Sequence, residues 1–188
     1  MILPIYVYGQ PVLREVAQDI TAEYPNLKEL IQNMFDTMEH ADGIGLAAPQ
    51  VGLPIRLVVV DLDVLSEDHP EFANFRKVFI NPYIIEVDGD DVTMGEGCLS
   101  LPGVGEDVTR PDVIHVEYYD ENFEKHTERV EGYLARVMQH EFDHLDGVMF
   151  IDHISPLRKQ MIRNKLMKLV KGTARTHYKI KSVNAKLK

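Results

Sequence analysis

Residues 139–147 read QHEFDHLDG, and the placement of this stretch decides the rest of the chain. Positions i and i+4 share a face only on a helix, so a helix here lets His140 and His144 aim ring nitrogens at one cation with Glu141 beside it. The competing reading is a solvated helix that carries two histidines and three acids by chance. A hydrolytic metal site needs three protein ligands and an open position, so the third ligand discriminates between the two readings.

Extension to HExxHxxGxxH would need a histidine at 150, where the chain has Phe150. A glutamate from a later helix is ruled out because no Asp or Glu follows Asp152. Asp152 and His153 lie too close along the chain to fold back easily, which leaves an upstream residue. Cys98, in MGEGCLSLPG (94–103), is the only cysteine of 188 residues, so it has no disulfide partner within the chain and suits a reducing compartment. A lone cysteine is most often a small buried hydrophobe. Here Gly95, Gly97, Pro102 and Gly103 bracket it and let the backbone approach something closely. A thiolate with two imidazoles suits zinc or ferrous iron, and Cys98 is the expected third ligand.

Three segments in this order, GIGLAAPQVG (43–52) preceded by Asp42, EGCLS (96–100) and QHEFDHLDG, resemble the motifs of the peptide deformylases. Compatible sequence runs from about residue 4 to 172. The resemblance implies removal of the formyl group from the formyl-methionine that begins new bacterial polypeptides. It implies Cys98, His140 and His144 as metal ligands, Glu141 as acid/base, and Gln50 with the Leu99 backbone N–H as oxyanion donors. It implies one divalent ion, Fe2+ in the cell, with Zn2+, Ni2+ or Co2+ able to substitute. The substrate would lie extended between GIGL and EGCL on backbone groups of Ile44, Gly45 and Gly97. Its methionine side chain would enter a pocket near Ile44, Tyr133, Val137 and His140, edged by the stem of Arg136. Tyr133 and Val137 suit the core equally well. Where many relatives carry an arginine, this chain has Gly105, which puts contacts to the downstream peptide in doubt.

The chemistry suits these residues. A bound divalent metal lowers the pKa of its water to roughly 7, which supplies a hydroxide to attack the formyl carbon. Glu141 would take that water's proton and return it to the departing amine, while donors near the developing charge lower the barrier.

At 45% hydrophobic, the chain can bury one substantial core. One catalytic domain over 1–172 is expected, including a helix over about 155–172, with a basic, flexible tail over 173–188. MILPIYVYG is not signal-like and no apolar run nears 18 residues, so a cytoplasmic protein without membrane or DNA partners is expected. Asn26 with Glu29 predicts a capped helix whose apolar face runs from Leu27 to Met38. Residues 55–61, 77–87, 91–97 and 113–120 read as strands, with 127–132 pairing the last, and 65–75 as a solvated loop. A second helix spans about 133–145, and Ser155-Pro156 opens a third. The fold class is α+β: mostly antiparallel strands wrapped around a central metal-bearing helix, with N-terminal and C-terminal helices.

His40, His69, His115, His126, His153 and His177 need no function. Asp143 and Asp146 either orient ligands or are solvated. A metal-dependent peptidase would need a downstream His or Glu ligand, and a non-catalytic metal module would not need Glu141. Charge divides sharply: residues 153–188 hold eleven Lys/Arg and no acids, and 1–152 hold nine Lys/Arg against thirty Asp/Glu. The helix after Ser155 should pack Leu157, Met161, Ile162, Leu166 and Leu169 inward and turn Arg158, Lys159, Arg163, Lys165 and Lys168 outward. Such a helix either balances the acidic body or docks on ribosomal RNA near the nascent-chain exit.

Overall fold

The computed structural model describes residues 1–184. Among these residues, three helices, α1 (Leu27–His40), α2 (Gly132–Leu145) and α3 (Pro156–Lys171), accompany seven strands. Five of these, β2 (Gly45–Ala47), β3 (Leu57–Asp61), β4 (Arg76–Gly97), β5 (Gly105–Tyr119) and β6 (Lys125–Glu131), form one antiparallel sheet in sequential order. The fold is α+β, as expected.

Period-two alternation explains how β3 comes to be buried throughout. Leu57 and Val59 join the α1 residues Ile31, Met34, Phe35 and Met38 in one cluster. Val58 and Val60 join the α2 residues Ala135, Met138 and Phe142 in another. The sheet is thus sandwiched locally between α1 and the motif-bearing α2, and burial on both faces fixes its register. A third cluster seats α3 on Leu101, Val104, Val108 and Phe150.

Several expectations need correction. Asn26 precedes α1 in the left-handed region (φ 55°) and makes no side-chain cap; only its carbonyl enters the helix, accepting from Leu30 N. The segments 77–87 and 91–97 are one strand, carried through a register shift between Asp88 and Asp91 in which Gly89 takes φ +76°. The 65–75 segment is not simply solvated. It turns through short 3-10 stretches, and Leu65, Phe72 and Phe75 fold back on the core. On α3, Ile162, Leu166 and Leu169 are buried, but Leu157 and Met161 are 67% and 62% exposed. Arg158 does not project freely; it grips the buried Glu106 at 2.8 and 3.0 Å.

The tail also differs from expectation. Ser155 caps α3 through the Arg158 N–H and Gly172 ends it at φ 71°. The chain then returns to the body, where β7 (Ile180–Lys181) pairs in parallel with β1 (Ile5–Tyr6) and Ser182 is buried. The last four residues of the expected tail, 185–188, lie outside the described residues. No helix among the described residues is long and apolar enough to cross a membrane.

Candidate metal centre and active site

Helix α2 is buried along most of its length, including His140, Glu141 and His144. Cys98 comes from the turn after β4, closed by the Leu101 N–H to Cys98 carbonyl bond. Ligand atoms of Cys98, His140 and His144 all lie within 4.8 Å of one another, with Cys98 Sγ 3.2 Å from His144 Nε2. His140 uses its Nδ1 on Glu96 at 2.8 Å, which leaves Nε2 for the centre. A metal-ligating histidine is usually oriented by such a bond on its other nitrogen.

Two buried polar atoms here lack partners, Glu141 Oε2 and His144 Nδ1. An orphaned carboxylate oxygen beside three soft and borderline donors suits a divalent cation and its water. Burial pushes the Glu141 carboxyl up to about 7, against the pull of the His140 charge. Burial, and next the His140 charge, hold His144 well below its ordinary value. Burial alone would depress His140, but its hydrogen bonds to Cys98 and Glu96 raise it well above the usual range. A proton therefore competes with a cation for that ring.

Glu96 is the residue that motif reading passed over. It accepts from His140, from Arg110 at 2.7 and 3.0 Å, and from Arg136 at 2.8 Å. Burial would raise its carboxyl, but these bonds outweigh that and hold it well below the carboxylate range. Arg110 continues to Asp143 at 2.8 Å, and Asp143 also accepts from His153. Asp143 therefore anchors the support of His140 at one remove, whereas Asp146 accepts from the buried Arg56. A carboxylate two residues before Cys98 on an alternating strand was the available signal.

Gln50 is buried, with Nε2 3.4 Å from Cys98 Sγ and 3.2 Å from Ser100 Oγ, and its Oε1 accepts from Ala47 N–H. Its amide nitrogen thus faces the centre. A groove of about 440 Å³ brings Ile44, Gly45, Gln50, Gly97, Cys98, Leu99, Tyr133, His140 and Glu141 together. A smaller recess of about 100 Å³ shares Ile44, Gly97, Tyr133, His140 and Glu141 with it and adds Arg136 and Val137. The Arg136 guanidinium donates to the Val92 and Val108 carbonyls and to Glu96, which also lines the recess. Val137 serves both core and recess. Leu65 from the refolded 65–75 segment adds a wall that was not foreseen, and Gly105 lines a separate surface hollow with Arg158.

A mostly antiparallel sheet with a buried HExxH helix, completed by a cysteine from a strand-end turn, defines a metallo-hydrolase. The polypeptide deformylase family model matches residues 2–160. A peptide deformylase of Christiangramia forsetii is 50% identical over 99% of this chain and 98% of its own length. One of Flavobacterium psychrophilum is also 50% identical, over 99% of this chain and all of its own. The crystal structure of a Legionella pneumophila peptide deformylase superposes with TM-score 0.81 at 37% identity, covering 94% of this chain and 99% of that one. The chain belongs to the peptide deformylase family, whose members remove the N-formyl group from nascent polypeptides.

Proposed function

We propose that the chain hydrolyses the formamide of N-terminal formyl-methionine with Cys98, His140 and His144 holding one divalent ion, Fe2+ in the reducing cytoplasm. The observation that carries this reading is the convergence of those three ligand atoms within 4.8 Å beside the unpartnered Glu141 Oε2. When bound, the cation supplies a water acidic enough to ionise near neutral pH and polarises the formyl oxygen. Glu141 accepts the proton given up by that water and then passes it to the departing α-amine, releasing formate and a free N-terminus. Gln50 Nε2 and the Leu99 N–H donate to the formyl oxygen as its charge grows. The peptide adds as a strand beside β2, which is an edge of the sheet, through backbone groups of Ile44, Gly45 and Gly97. Its methionine side chain enters the recess at Tyr133, Val137 and the Arg136 stem. The exposed cations of α3 dock the enzyme weakly on ribosomal RNA near the emerging chain.

Formate release from a formyl-Met-peptide, measured with metal content on one preparation under anaerobic conditions, tests the chemistry. Glu141→Gln should keep about one metal per chain while losing on the order of 10²–10⁴ in turnover. Cys98→Ala should lose the metal. Full activity with metal bound in Cys98→Ala would remove that residue from the ligand set.

A further inference from the structure

The segment after α3 comes back to the catalytic turn. The Tyr178 hydroxyl donates to the Leu99 carbonyl at 2.8 Å, a bond spanning 79 residues. Next to it, His177 Nε2 lies 3.2 Å from Asp42, the residue before GIGL. The following residues form β7, whose partner β1 leads to Tyr8, and the Tyr8 N–H donates to the Ser100 carbonyl at 2.9 Å. The small sheet is thus flanked by anchors on consecutive carbonyls of the Cys98–Leu99–Ser100 turn, Tyr178 just before β7 and Tyr8 just after β1. The Leu99 side chain is packed closely on the GIGL segment, since a β-carbon on Gly43 would sit 2.7 Å from Leu99 Cδ1. A turn that must aim both a thiolate and a backbone N–H is therefore held by separate segments of the chain, one of them the C-terminal segment.

We propose that Tyr178 is a positioning residue for deformylation: its hydroxyl, bound to the Leu99 carbonyl, sets the orientation of the turn and with it the aim of the Leu99 N–H. The proposal rests on the reading of that N–H as a donor to the formyl oxygen. Such alignment acts on the transition state more than on ground-state binding, so it shows in kcat rather than KM. A hydrogen bond of ordinary strength is equivalent to about tenfold in rate.

The test uses full-length, metal-loaded enzyme carrying Tyr178→Phe, which keeps the ring and removes only the hydroxyl. Turnover of a formyl-Met-peptide should fall about tenfold with KM within about twofold of wild type. Metal content should be unchanged, and amide exchange at Leu99 and Ser100 should quicken. Val183→Ala, which trims the packing of the same segment without touching Leu99, should leave kcat unchanged. Faster exchange with unchanged kcat would overturn the proposal by removing the catalytic role of the Leu99 N–H. Unchanged exchange and kcat would overturn it at the hydrogen bond itself and leave the reading of Leu99 standing. An equal kcat loss in Val183→Ala would assign the effect to docking of the whole segment and overturn the role of the hydroxyl.

Discussion

Glu141 is an acid buried without a partner for one of its oxygens, a costly arrangement unless something else offsets the charge. Its carboxyl is raised from an ordinary 4.5 to about 7, chiefly by burial. In the chelator-treated chain the sign follows directly. The unfolded chain ionises this group first, so as pH climbs from about 4.5 to about 7 it loses a proton that the folded chain keeps, and stability falls. The gap corresponds to about 3 kcal/mol lost by pH 7 and above, and to nothing below 4.5. Thermal melts of the metal-free protein between pH 4.5 and 8 should therefore show Glu141→Gln gaining on wild type as pH rises. Parallel curves for the two proteins would show that this carboxyl is not the destabilising group. The same residue was legible in the sequence because the five-residue motif states its place on the helix. Glu96 was passed over: its spacing two residues before Cys98 was visible, but its partners His140, Arg110 and Arg136 come from distant parts of the chain that the spacing does not name.

Element by element, legibility tracked how well hydrophobic periodicity reports burial. Helix α2 and strand β3 were readable because, apart from Arg136 and Asp61, their charged residues are exposed or belong to the motif and most buried positions are apolar. The first half of β5 was missed for the opposite reason: its inward residues are Glu106, Val108 and Arg110, so charges occupy the positions where periodicity looks for hydrophobes. Those charges are paired, Glu106 with Arg158 and Arg110 with Glu96, which is why the strand can bury them. The packing of β2 against α2 gives a prediction of its own. A β-carbon on Gly45 would lie 2.6 Å from Glu141 Oε1 and 2.8 Å from its Cγ and Cδ, and Gly45 is not among the positive-φ glycines. The glycine is required by its close approach to Glu141 and not by backbone conformation. Gly45→Ala should therefore fold and bind metal but push the Glu141 carboxylate aside, lowering kcat by about 10²-fold, the usual scale for a misplaced catalytic group. Wild-type turnover in Gly45→Ala would mean that Glu141 has more room than the close approach allows.

Across the whole molecule, charge is partitioned as sharply as chemistry. A chain of net charge −10 carries eleven Lys/Arg and no acids from His153 onward. A basic helix could simply answer the body's negative charge, and Arg158 does so through its bond to Glu106. Lys159, Arg163, Lys165 and Lys168 are different: all are exposed, and none makes a salt bridge within the described residues. Cations left unpaired along the helix gain affinity for RNA by releasing counterions, with a salt dependence that reflects how many phosphates they neutralise. Deleting the chain after Asp152 cannot test docking cleanly, because it removes the helix that covers Leu101 and Phe150 and also the Tyr178 anchor on Leu99. Replacing Lys159, Arg163, Lys165 and Lys168 by glutamine leaves Arg158, the buried face of α3 and the returning segment in place. Ribosome co-sedimentation of that variant should weaken. The slope of log affinity against log salt should become shallower by about 0.7–0.9 for each phosphate that is no longer neutralised. Turnover of a short formyl-peptide should stay at wild-type level, since none of the four lines the groove around Cys98. Binding that ignores both salt and the four replacements would mean that the basic helix serves only to balance the acidic body.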